Sequence, residues 1–110
     1  MGYGLPAAIG AQVAYPEALV IDVAGEASIQ MNIQELATAV QFELPVKVFI
    51  VNNERMGMVR QWQDRHYEGR RAPSYASALP DFVALAAAYG WTGLRVSDPT
   101  KLDATISFAP

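Results

Sequence analysis

Apolar positions in this chain come in short blocks, and their spacing changes from one block to the next. Residues 5–14 are small and apolar (Leu5, Ala7, Ala8, Ile9, Ala11, Val13), and Pro6 suits a first helical turn. A helix of that composition can approach a sheet closely, and Tyr15-Pro16-Glu17 ends it. The run Ala18 to Val23 predicts a strand buried on both faces, with Ala24-Gly25 turning out of it. Ile33, Leu36, Ala37 and Val40 then recur at i, i+3, i+4, i+7, the spacing of one buried helical face. Leu44-Pro45 stops that helix, and Val46 to Val51 predicts a second buried strand. Strand, helix and strand in this order imply a parallel pair joined by a right-handed crossover.

Beyond the Asn52-Asn53 pair, residues 58–67 predict a helix carrying Val59, Trp62 and His66, followed by an irregular polar loop over 68–78. Pro80-Asp81 opens another helix with Phe82, Leu85, Ala86 and Tyr89 inward, and Gly90 fits a left-handed C-terminal cap. Residues 92–96 predict a third short strand, and 99–108 begin a last helix.

Composition narrows the classes. At 110 residues the chain is one domain at most, small for a doubly wound sheet. Its apolar blocks fall short of the ~20 residues that cross a bilayer, and no charged segment precedes an apolar one as in a secretory signal. A net charge of −3 argues against nucleic acid, because Arg65, Arg70 and Arg71 are interrupted by Asp64 and Glu68. The absence of cysteine excludes disulfides and thiolate metal sites. Gly2, Gly4 and Gly10 are not a dinucleotide fingerprint, since position 7 is Ala7 and no strand precedes them.

The chemistry-bearing words are Gly25-Glu26-Ala27-Ser28 and Asn52-Asn53. Each follows a predicted strand, and parallel strands open at the same edge, so a carboxylate and an amide oxygen can meet there. Two oxygen ligands with a helix start between them suit a hard cation carrying a phosphate ester. The plainer readings are a solvated turn acid at Glu26, a helix cap at Ser28 and turn-forming asparagines.

The turn and the Asn pair resemble the thiamine diphosphate motif. Met1-Gly2-Tyr3-Gly4-Leu5-Pro6-Ala7-Ala8-Ile9-Gly10-Ala11, Gln34-Glu35-Leu36-Ala37-Thr38-Ala39-Val40-Gln41 and Met56-Gly57-Met58-Val59-Arg60-Gln61-Trp62-Gln63 are similar to the acetolactate synthase catalytic subunit. The similarity runs from Met1 to about Leu102. It implies an α/β fold: a three-layer, mostly parallel sheet flanked by helices, a Rossmann-like diphosphate- and Mg²⁺-binding module truncated at both ends. Members of the family begin well before Met1 and continue into a further strand.

By the resemblance, Mg²⁺ would be held by Glu26, the Asn53 side chain and the Arg55 backbone carbonyl. Gly25, Ala27 and Ser28 would face the diphosphate. Met1 and Met58 would line the aminopyrimidine and thiazolium, where core filling is the alternative. Trp62 would shape the acceptor pocket and favour 2-oxobutanoate over pyruvate, a preference worth about 1–3 kcal/mol for one methylene. Three positions depart from the family: Glu26 stands for an aspartate, Ala24 for an acid, and His66 for a phenylalanine.

The implied reaction condenses two pyruvates, or pyruvate and 2-oxobutanoate, with loss of CO₂ in branched-chain amino acid synthesis. By the resemblance, no catalytic residue lies in this chain: the activating glutamate would belong to another domain across a dimer interface, and FAD to a central domain. The expectation is a segment inactive by itself, working in a homo-oligomer or with its missing domains, in the bacterial cytoplasm or in a eukaryotic organelle. The competing readings are a non-catalytic relic that keeps the fold, and a fragment of a related thiamine-dependent decarboxylase or oxidase.

Overall fold

A computed structural model of the chain describes residues 1–108 except Tyr75 and Ser77, which lie in the expected polar loop. The chain divides into two compact units, Met1–Leu79 and Pro80–Pro110.

The first unit is built on a parallel pair of strands, β1 (Ile21–Gly25) and β2 (Lys47–Val51). Their register runs from Ile21 opposite Lys47 to Gly25 opposite Val51. Helix α1 (Gly4–Ala14) precedes β1, while α2 (Glu26–Gln30) and α3 (Glu35–Gln41) form the crossover to β2. Leu5 and Ala8 of α1, Ile29 of α2 and Leu36 and Ala39 of α3 are buried together with Ala24 and Val46. These small and medium side chains let α1 lie against β1 and the crossover helices. The C-terminal end of α1 is clamped by Gln12, whose buried Nε2 donates to the carbonyls of Tyr15, Pro16 and Ala18.

Several expectations need correction here. The first strand is not buried on both faces: Asp22 and Ala24 point inward, while Ile21 and Val23 remain exposed, Val23 by 70%. The second strand likewise leaves Phe49 and Val51 exposed. A continuous apolar run hides strand alternation, and burial of both faces needs a covering layer on each side. The crossover is also two short helices rather than one. Residues 31–34 form a turn between them, with Glu35, Leu36 and Ala37 amides donating to the carbonyls three residues back. The buried face of α3 accordingly centres on Leu36 and Ala39, and Ala37 and Val40 face out.

Helix α4 (Gly57–His66) follows the β2 loop, in agreement with the sequence reading. Its buried residue is Gln63, which donates to the Ala72 carbonyl and accepts from the Ser74 hydroxyl.

In the second unit, Asp81 caps α5 (Phe82–Ala88), its Oδ1 accepting from the Val83 and Ala84 amides. Gly90 takes φ +85°, the left-handed value expected after a helix. A 3-10 turn (Pro99–Lys101) leads into α6 (Leu102–Phe108). The third strand expected over 92–96 is absent; the segment is irregular. It runs along α5 instead. A Cβ on Gly93 would stand 3.0 Å from the Val83 Cα, and Arg95 pairs with Asp81 at 2.9 Å.

Candidate functional site

The rim where β1 and β2 end carries the residues of interest. Gly25 and Val51 are paired in the ladder, so the loops that follow leave the same edge of the sheet. Glu26 comes directly after β1 as the first residue of α2. Asn52 and Asn53 come directly after β2.

Glu26 is no solvated turn acid. The residue is 2% exposed, and its Oε1 is buried with no hydrogen-bond partner among the described residues. A buried carboxylate oxygen left without a partner costs about 1–3 kcal/mol or more. A cation would supply the missing partner. At Gly25 the backbone is extended (φ −78°, ψ 157°), and an added Cβ would meet nothing within 4 Å. Neither conformation nor packing within this chain demands glycine there, which leaves open space beside the backbone next to Glu26.

The second loop is wound on its own side chains. Asn52 Oδ1 accepts from the Glu54 amide and Asn53 Oδ1 from the Arg55 amide, both at 3.0 Å. Both asparagines are therefore turn formers. An amide oxygen has two lone pairs, so the Asn53 oxygen keeps one for a metal ion. Glu54 sits at φ +57°, a left-handed conformation costly for a residue with a side chain. Two hydrogen bonds on either side of Arg55 hold it there: Ala76 N–H to the Glu54 carbonyl and Met56 N–H to the Ser74 carbonyl.

Ser28 does not cap α2, because it lies inside that helix. Its Oγ accepts from the Gly2 amide at 2.9 Å, which leaves its own proton to donate. Asn32 Nδ2 donates to the Gly2 carbonyl, so the N-terminal segment is strapped to the crossover. Ala27 is half-buried in α2. With only five residues, α2 adds little dipole at its N-terminus, so the expected helix-start contribution to anion binding is weak.

The structure thus gathers Gly25, Glu26 and the Asn53–Arg55 loop at one rim and ties Met1-Gly2 to Ser28. Met58 and Trp62 are not packed against this group: both are exposed on α4, by 67% and 58%. Trp62 meets His66 instead, with ring centroids 5.0 Å apart and planes tilted by 48°. Met1 is exposed as well, so neither methionine fills a core. Among the described residues no group of three or more His, Cys, Asp or Glu side chains could hold a metal. A cation at this rim would depend on one carboxylate with amide and carbonyl oxygens plus ligand phosphates, a pattern that suits Mg²⁺.

Sequence reasoning missed the strap partners Gly2 and Asn32 and the inward Asp22. Gly2 was weighed only as a fingerprint glycine, although its neighbourhood with Gly4 could have signalled close backbone packing.

The family model described as "Thiamine pyrophosphate enzyme, C-terminal TPP binding domain" matches residues 1–109. The acetolactate synthase isozyme 3 large subunit of Escherichia coli (strain K12) is 56% identical over 109 residues, 99% of this chain and 19% of that protein. The mitochondrial acetolactate synthase catalytic subunit of Saccharomyces cerevisiae is 56% identical over 106 residues, 96% of this chain and 15% of its own. The chain therefore spans a fifth or less of these relatives' length. Among solved structures, the thiamine diphosphate-dependent 4-hydroxybenzoylformate decarboxylase of Rhodococcus jostii RHA1 superposes with a TM-score of 0.84 at 36% identity. That match covers 98% of this chain and 20% of the decarboxylase. Fold and sequence agree: the chain belongs to the thiamine pyrophosphate enzymes, matched by the C-terminal cofactor-binding domain of that family.

Proposed function

We propose that this chain is the diphosphate- and metal-holding segment of an acetolactate synthase. The observation that carries the reading is the buried, unpartnered Glu26 oxygen at the rim shared with the Asn53 loop. Glu26, the Asn53 amide oxygen and the Arg55 carbonyl would hold Mg²⁺. The Gly25–Ala27 backbone and the Ser28 hydroxyl proton would meet the diphosphate. Met1 and Met58 would lie along the cofactor rings, and Trp62 would wall the acceptor side.

When bound, thiamine diphosphate supplies the electron sink that lets a 2-oxo acid lose CO₂ and join a second 2-oxo acid. This chain's own residues bind and orient. Glu26 offsets the charge of the cation, the open space at Gly25 admits the diphosphate, and the flat Trp62 ring rewards one additional methylene on the acceptor. On this reading the substrates are pyruvate and 2-oxobutanoate. FAD and the activating glutamate belong to other domains, so the segment is inactive by itself and works within a homo-oligomer. The greater identity to acetolactate synthases than to the decarboxylase favours this reading over a simple 2-oxo acid decarboxylase.

Thermal unfolding with and without ligand tests it. Thiamine diphosphate with Mg²⁺ must raise the melting temperature, since a hundredfold excess over Kd stabilises the folded state by about 2.7 kcal/mol. No shift at millimolar cofactor would instead identify a relic that keeps the fold.

A further inference from the structure

Gly2 is buried between two exposed neighbours, Met1 and Tyr3. Both polar groups of its backbone are taken by side chains from one stretch of the crossover. The Gly2 amide donates to Ser28 Oγ at 2.9 Å, and the Gly2 carbonyl accepts from Asn32 Nδ2. The residue itself is held at φ +74°, and a Cβ there would stand 2.9 Å from Asn32 Nδ2 and 3.0 Å from the Met31 Cβ. Glycine is required twice over, by conformation and by space. This segment is therefore fastened to the residues that follow Glu26, rather than draped over them.

We propose that Asn32 is a positioning residue that, through the Gly2 carbonyl, sets where Met1 stands against the aminopyrimidine of the cofactor. The inference rests on the reading above, in which Met1 lines that ring and Ser28 meets the diphosphate. It adds a division of labour. Ser28 touches both halves of the system, because its oxygen accepts from Gly2 while its proton is free for a phosphate oxygen. Among the described residues the Asn32 side chain bonds Gly2 and not Ser28, and so governs the ring half without touching the diphosphate half.

Inorganic pyrophosphate and thiamine diphosphate, each with Mg²⁺, separate the two halves. Calorimetric titration of the wild-type chain must show tighter binding of thiamine diphosphate than of pyrophosphate. Asn32→Leu keeps the side-chain size and withdraws the donor. It is expected to leave pyrophosphate affinity within about twofold and to weaken thiamine diphosphate up to about tenfold, the scale of one hydrogen bond. Ser28→Ala is expected to weaken both ligands. If Asn32→Leu does not fold, as judged by its melting transition, Asn32→Ser removes the reach of the donor and is read the same way.

Equal loss for both ligands in the Asn32 variant, or no loss for either, overturns the inference and leaves the diphosphate reading standing. So does a wild-type chain that binds the two ligands equally. A wild-type chain that binds neither overturns the functional reading, and the inference falls with it.

Discussion

Gly25 stands opposite Val51 in the parallel ladder, and both strands stop at that pair. The acidic loop and the asparagine loop consequently start from one rim, which is the condition for a shared cation. Glu26 follows β1 directly as the first residue of α2, and its side chain is withdrawn from solvent.

The length of that side chain gives a first prediction. Mg²⁺ demands near-ideal octahedral geometry at roughly 2.0–2.1 Å, and glutamate reaches one methylene beyond aspartate. Glu26→Asp is expected to bind Mg²⁺ several-fold more tightly than the native chain in a titration at saturating thiamine diphosphate. Equal affinities would show that side-chain length at this position does not limit the metal.

A second prediction concerns Gly4 and Asp22. A Cβ on Gly4 would lie 2.2 Å from the Asp22 Oδ1, closer than any real contact. Gly4→Ala should destabilise the first unit by about 1–3 kcal/mol, the usual cost of overpacking. Asp22→Ser removes the opposing oxygen, so the double variant should recover most of that loss in a denaturant titration. Simple additivity would contradict the contact.

The pH dependence of stability supplies a third. Asp22 is 6% exposed, its Oδ2 has no hydrogen-bond partner among the described residues, and burial raises its carboxyl above the ordinary value. The folded chain therefore holds this proton more tightly than the unfolded chain. The stability so gained is complete below the unfolded value of about 3.9 and is lost as pH rises through the folded one. Asp22→Asn should melt higher than the native chain at pH 7 and flatten the fall in stability above pH 4. Asp64, Asp81 and Asp98 work in the opposite sense. The Arg71 side chain, the Ala84 amide and the Thr100 side chain hold them below the ordinary value, so their contributions fade as the solution becomes acid. Comparing the two chains at each pH isolates Asp22.

The parallel pair was legible because strand, helix and strand allow few other topologies, and the rim followed from it. Helices over 4–14, 57–66 and 82–88 and the Gly90 turn were legible for the same local reason, periodicity and end signals. Asp22 was not, since an unbroken apolar run masks which residues of a strand face inward. The segment 92–96 has strand composition but is irregular and lies beside α5, and composition does not report whether a sheet partner runs alongside. The contact of Gly2 with Asn32 spans thirty positions, a separation over which no local pattern speaks. Glu26 stood out as a candidate ligand by its place in a motif, while its burial emerged only from the packing of α2.

Paramagnetic broadening tests the convergence of the two loops most directly. Mn²⁺ substituted for Mg²⁺ in the presence of thiamine diphosphate should broaden the amide resonances of residues 25–28 and 53–55 together, saturating at one ion per chain. Broadening confined to one of these loops, or scattered over the exposed acids, would contradict a shared divalent site and the cofactor role built on it.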